Sequence, residues 1–477
     1  MGDKSLKKET LRGLVWSIIE RFSVQGVQFL IMLVIARILN PKDYGMIGML
    51  SIFLVVAAAV VDSGFAQALI RKQNRTDIDC STVLYFNFFV SVFLYIVLFG
   101  ASPLIASFFD EPLLDRLMKV LGVVLVINSL SVVQRALLTA EMDFKSQAVV
   151  SFISATLSGL VGIYMACNGY QVWALVYSSI INSIVSTSGL WFCSKWRPCL
   201  CFSKESFCSM FPFGSKLMIS GIIDALYNNL YPFIIGKFFS ASYLGYYTRA
   251  KNFSELPSSN LTGIMQKVTY PILCKLQDDE NDIIKLYRRF LKSSAFIVFP
   301  LMCLFAGISH PLITILIGNK WDFAATLLIP LCFGMMFYPI HALNLNILQV
   351  RGRSDLFLKQ EVYKKSIGLL LILISVPFGI MAMCYMSIVL SIISLFINTY
   401  FTGKLYNIGI RIQFCDIFPT LMMSILIFLS SYITTLLFSD SIVKLIFGFF
   451  IGVFCWVFIS CIFRYEEVGL LKSLIKK

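Results

Sequence analysis

The chain has 477 residues, of which 58% are hydrophobic and only 14% charged, against about a quarter charged in soluble domains. Its formal net charge is +14, but the basic residues recur in every second polar joint between apolar stretches, as in the cytoplasmic loops of membrane proteins. These features exclude a soluble enzyme or a nucleic-acid-binding domain, and nucleic acid is not an expected partner.

In chain order, Lys4, Lys7, Lys8 and Arg12 precede a first apolar span at 13–36. No small-residue cleavage site follows that span, so it reads as a membrane span and not as a signal peptide. Further spans fall at 44–69, 82–108, 117–138, 147–167 and 172–193. After a basic loop come 213–235, 243–266, 291–308, 324–348, 366–380 and 383–403, and the last two lie at 416–437 and 442–463. About twenty apolar residues cross a bilayer as one helix. The expected fold is therefore an all-α polytopic membrane protein with about fourteen transmembrane helices. Its expected divisions are an N-lobe at 1–208, a C-lobe at 209–408 and a terminal helix pair at 409–477.

Charge supplies the topology. Arg71, Lys72 and Arg75, then Lys195, Arg197 and Lys204, then Lys275, Lys285, Arg288, Arg289 and Lys292 mark inside loops. Arg351, Arg353, Lys359, Lys364 and Lys365 follow, then Lys404 and Arg411, and finally Arg464 and Lys472. The opposite loops carry little beyond Arg37, Lys42, Arg116, Lys119, Lys237 and Lys320. The bias is roughly four to one and places both termini in the cytoplasm. Most of the 13 cysteines lie inside spans and act as small hydrophobes. Cys193, Cys199, Cys201 and Cys208 surround one inside loop without the paired spacing of a metal site.

Two segments echo one another. Ile35-Ala-Arg-Ile-Leu-Asn-Pro-Lys-Asp-Tyr-Gly45 and Ile235-Gly-Lys-Phe-Phe-Ser-Ala-Ser-Tyr-Leu-Gly245 each carry a basic residue, two apolar residues, a polar turn and a glycine in register. A second echo pairs Ala140-Glu-Met-Asp-Phe144 with Arg353-Ser-Asp-Leu-Phe357. Repeats at equivalent positions of two six-span sets predict pseudo-symmetric halves, related by an axis along the membrane normal.

Trp16, the run Ala36-Arg-Ile-Leu-Asn-Pro-Lys-Asp-Tyr-Gly45 and Asp62-Ser-Gly-Phe65 together resemble the Wzx-type polysaccharide flippases of the multidrug/oligosaccharidyl-lipid/polysaccharide exporter superfamily. The resemblance covers nearly the whole chain, although each motif alone is soft. It implies translocation of an undecaprenyl-pyrophosphate-linked oligosaccharide from the inner to the outer leaflet of a bacterial cytoplasmic membrane, for O-antigen, capsule or exopolysaccharide synthesis. Membrane lipids, a polysaccharide polymerase and a chain-length regulator are the partners it implies.

Polar groups inside spans are costly and face a cavity or a partner. Ser17, Arg21, Gln25 and Gln28 share one helical face of the first span, and Lys216, Ser220, Asp224 and Asn228 share one face of the seventh. Arg249, Lys251 and Glu255 lie in the eighth span, and Arg135 lies near the inner end of the fourth. Arg21 and Arg249 are expected to contact the pyrophosphate, because guanidinium groups match phosphate oxygens. Lys216 and Arg135 have a snorkelling alternative, and Lys251 an intrahelical pair with Glu255. Tyr227 and Tyr231 could stack on sugar rings or anchor at the interface.

An inside-negative potential favours outward movement of anions by about 2.3 kcal/mol per charge per 100 mV. Proton or sodium coupling is the alternative drive, with Asp224, Glu20 and His341 as titrating candidates. No cofactor is expected, and no G-x-x-x-x-G-K-[ST] phosphate loop is present. A multidrug exporter of the same superfamily, a membrane polymerase or glycosyltransferase, and a non-transporting scaffold are the rival readings. The enzyme would need an outside loop longer than any this chain offers.

Overall fold

A computed structural model describes residues 23–463, apart from 63, 73, 277 and 278. Arg21 and Glu20, with Trp16 and Ser17, lie outside the described residues. All regular elements among the described residues are helical. Ten helical segments among the described residues are long and apolar enough to cross a membrane, and the chain is a multi-pass membrane protein.

Contacts divide the chain into two compact units, Met1–Gly245 and Tyr246–Lys477. The first contains α1 (Ser23–Ile38), α2 (Pro41–Asp62), α3 (Phe65–Arg71), α4 (Asp77–Phe108), α5 (Leu113–Leu121), α6 (Val123–Ser129) and α7 (Val132–Ala140). It continues with α8 (Phe144–Cys167), α9 (Val172–Cys193), α10 (Lys204–Asn228) and α11 (Leu230–Phe238). Helix α12 (Ala241–Lys275) runs from the end of the first unit into the second. There follow α13 (Glu280–Gly307), α14 (Ser309–Ile317), α15 (Asp322–Met335), α16 (Tyr338–Val350), α17 (Ser354–Ser375), α18 (Ile380–Tyr406), α19 (Ile410–Leu437) and α20 (Ser441–Ile462).

Helix α10 begins earlier than the hydropathy of 213–235 suggests. Ser203 accepts a hydrogen bond from the Ser206 amide and caps a start at Lys204. The helix packs on α2 and α3 within the first unit, where Gly64 meets the Gly214 backbone. Small residues set the other close approaches. Gly159 lies against Ile31, Gly162 against Ser178, and Gly189 against Val150. In lipid no hydrophobic force draws helices together, so close van der Waals approach between small residues holds them.

The second unit is fastened by polar contacts. Asn344 and Gln413 exchange amide hydrogen bonds at 3.0 and 3.2 Å. Tyr287 donates to Gln413 at 3.1 Å and Thr402 to Asn344 at 2.6 Å. This joins α13, α16, α18 and α19 through groups that satisfy one another, as a buried network requires. The next residue of α13, Arg288, makes a bidentate pair with Asp416, which lies about one turn beyond Gln413 on α19, both bonds 2.7 Å. Helix α20 packs on α14 and α19, with Gly452 against Leu304 and Ser431. The terminal pair is thus integral to the second unit.

Candidate functional site

Two interrupted helices meet in the first unit. Between α2 and α3 the chain turns at Gly64, whose φ of 67° suits a residue without Cβ. Between α6 and α7 the helix breaks at Leu130 and Ser131. A break inside a membrane frees carbonyls that lipid cannot satisfy. Here α9 supplies the donors: the Trp191 indole donates to the Leu130 carbonyl at 2.8 Å, and the Thr187 hydroxyl to that of Ile127 at 3.2 Å.

The two breaks and α9 surround a polar cavity of about 530 Å3. Asp62 and Gln67 flank the first break, Asn128 and Ser129 end α6 at the second, where Ser131 lies, Arg135 and Thr139 follow on α7, and Asn182, Ser183 and Ser186 line the α9 side. Asp62 and Arg135 interact electrostatically. Several hydroxyl protons are already committed: Ser129 donates to the Val126 carbonyl at 2.8 Å, Ser131 to that of Asn128 at 2.8 Å and Thr139 to that of Arg135 at 2.8 Å. The size falls within the roughly 300–1,000 Å3 of small-molecule pockets. Discontinuous helices with irregular backbone are also the usual architecture of transporter substrate sites.

The residues singled out by helical spacing fall elsewhere. Lys216, Ser220, Asp224 and Asn228 form an exposed stripe on α10, as their four-residue spacing requires. On α1, Gln25 is half-buried and Gln28 exposed. Arg249 and Lys251 lie half-buried on α12 in the second unit, and Lys251 pairs with Glu255 at 3.6 Å. His341 has both ring nitrogens engaged. Ser391 gives its proton to the Gly334 carbonyl at 2.9 Å and so accepts from Nε2–H at 3.1 Å, while Nδ1 accepts from Asn398 at 3.1 Å. These bonds hold the neutral ring. Among the described residues, no group of three or more His, Cys, Asp or Glu could hold a metal ion.

Spacing along single helices therefore missed most of the cavity. Asp62 and Arg135 stood out in the sequence, but Asn128, Asn182 and Gln67 did not. The available signal was the polar run Asn128-Ser129-Leu130-Ser131 inside an otherwise apolar span.

Comparisons with known proteins agree with this architecture. The family model described as "Polysaccharide biosynthesis protein" matches residues 34–326. The lipopolysaccharide biosynthesis protein WzxC of Escherichia coli is 25% identical over 366 residues, covering 76% of this chain and 74% of the relative. The teichuronic acid biosynthesis protein TuaB of Bacillus subtilis is 25% identical, over 74% of this chain and 73% of the relative. Among solved structures, the inward closed conformation of the lipid II flippase MurJ superposes with a TM-score of 0.77 at 15% identity, over 95% of this chain and 100% of the other. That likeness establishes a shared fold.

Proposed function

The chain belongs to the polysaccharide biosynthesis protein family, and we propose that it is a flippase for undecaprenyl-pyrophosphate-linked oligosaccharide in a bacterial inner membrane. The observation that carries the reading is the polar cavity at the two helix breaks. A hydrated saccharide head group cannot enter hydrocarbon without a large desolvation cost, and a polar chamber within the apolar helices replaces the lost hydration. No bond of the substrate changes on this reading, so the protein is not an enzyme.

Counting α1, α9, α12 and α17 with the ten apolar segments supports about fourteen spans. The alternation of basic loops supports cytoplasmic termini. Arg21, Gln25, Gln28, Lys216, Asn228, Arg249 and Lys251 are proposed to meet the pyrophosphate and its neighbouring groups during passage. The repeated motifs meet backbone to backbone, Gly45 at Ala241 and Gly245 at Pro41, and that contact is proposed to part in the outward-open state. Asp224 and Glu20 remain the coupling candidates if an ion drives the cycle. The hydrogen bonds of His341 favour a structural role for that residue. A polymerase and a chain-length regulator would receive the repeat unit after translocation.

Reconstitution in proteoliposomes tests the reading. Fluorescent undecaprenyl-pyrophosphate oligosaccharide placed in one leaflet should become accessible from the other at a rate set by the amount of protein. Export of organic cations without movement of the lipid-linked sugar would replace the flippase with a drug exporter.

A further inference from the structure

The lining of the cavity is specific in its chemistry. Asp62 and Arg135 are its ionisable residues, and their formal charges cancel. The remaining polar groups are amides and hydroxyls. A chamber built to hold a pyrophosphate would carry an excess of cations, because the desolvated anion needs compensating charge. This one carries none. Each neutral amide instead offers donors and an acceptor together, the combination that recognises sugar hydroxyls. Three such amides line the wall: Gln67 from α3, Asn128 from the α6–α7 break and Asn182 from α9. None of them has a side-chain hydrogen bond among the described residues, whereas Ser131 nearby has already donated its proton to a carbonyl. Gln67 and Asn128 are exposed to the cavity and Asn182 is half-buried, so their amides are free to meet a ligand there.

We propose that this cavity is a saccharide subsite. It receives the sugar next to the lipid carrier, read by Gln67, Asn128 and Asn182, while the pyrophosphate stays outside the neutral chamber. Asp62 accepts from a sugar hydroxyl, with the charge of Arg135 on the same wall. The inference rests on the flippase reading and deepens it by dividing the head group between two environments.

Binding to the purified full chain in nanodiscs tests it, using undecaprenyl pyrophosphate alone and the same lipid carrying N-acetylglucosamine or galactose. The account expects a sugar-bearing probe to bind about tenfold tighter than the bare lipid, equivalent to about 1.4 kcal/mol. Asn128→Ala and Asn182→Ala should each remove a factor of about 2–10 from that increment, leaving bare-lipid affinity unchanged. Bare-lipid affinity thus also reports folding, and Gln67→Ala on the exposed face of α3 serves if either variant fails that control. Wild type that binds the bare lipid with no gain from either sugar overturns the subsite. So do variants that keep the full gain. Wild type that binds none of the three lipids contradicts the flippase reading itself.

Discussion

Gly45 and Gly245 each press against the helix turn that precedes the other. A Cβ on Gly45 would stand 1.6 Å from the Ala241 carbonyl oxygen, and one on Gly245 would stand 1.9 Å from that of Pro41. The two motifs that echo one another in sequence therefore touch reciprocally in space. This also gives the glycines a physical reason, since any side chain would drive two backbones apart. Gly45→Ala should cost about 1–3 kcal/mol, the usual range for overpacking, and lower the melting temperature in detergent. Gly100→Ala meets nothing within 4 Å in the interior of α4 and should be neutral or stabilise by about 0.5–1 kcal/mol. Equal melting temperatures for Gly45→Ala and wild type would contradict the contact.

The α6–α7 break depends on donors from α9. Trp191→Phe keeps the ring but leaves the Leu130 carbonyl without the indole donor. The Gln134 side-chain amide also donates to that carbonyl at 2.7 Å, so the expected cost is about 0.5–1.5 kcal/mol, the net worth of one hydrogen bond. Because the same break shapes the cavity, transport should fall further than stability alone explains. A variant with wild-type stability and transport would show that the carbonyl finds another partner.

Asp416 holds two cations of α13, Arg288 at 2.7 Å and Lys292 at 3.5 Å, and its own side chain is only 4% exposed. Asp416→Asn should destabilise the second unit. The Arg288 side chain is 42% exposed, so solvent screening limits the loss to about 1–3 kcal/mol, below that of a fully buried pair. Asp416→Glu should recover part of it, and thermal melting of the three proteins measures the order.

His341 is held neutral by its bonds to Ser391 and Asn398, so it should not carry a proton through the cycle. His341→Gln should lower stability by about 1 kcal/mol for lost hydrogen bonds and leave the shape of the pH–rate profile unchanged. A profile that loses an inflection in the variant would return His341 to the coupling candidates.

Hydropathy made the all-helical, multi-pass class legible, because the bilayer imposes length and composition on each span. The repeat was legible at Gly45 and Gly245, where sterics fix the residue type. It was misaligned at the second echo. The equivalent turns pair Met142, with φ 58°, and Gly352, with φ 71°. After them the Asp143 backbone amide donates to the Leu138 carbonyl at 2.9 Å and the Arg353 backbone amide to that of Leu348 at 3.0 Å. Asp143 thus corresponds to Arg353, whereas the sequence alignment had matched Phe144 with Phe357. Backbone geometry defines this turn, and a non-glycine residue can adopt the left-handed conformation at modest cost, so residue identity carries little signal. The cavity was hidden for a related reason. Helical spacing finds stripes on one continuous helix, as with Lys216 and Asp224, but Asn128 and Asn182 converge from a broken helix and its neighbour.

The account turns on entry of the saccharide portion of the head group into the polar cavity of the first unit. The most direct measurement is the initial rate of lipid-linked oligosaccharide flipping in proteoliposomes by wild type, Gly100→Ala and Asn128→Trp, at matched amounts of folded protein. The indole would occupy the chamber between the two breaks. The account predicts a fall of at least about tenfold for Asn128→Trp, equivalent to about 1.4 kcal/mol in the barrier, with Gly100→Ala unchanged. An Asn128→Trp protein that flips the lipid at the wild-type rate would show that the substrate takes another path.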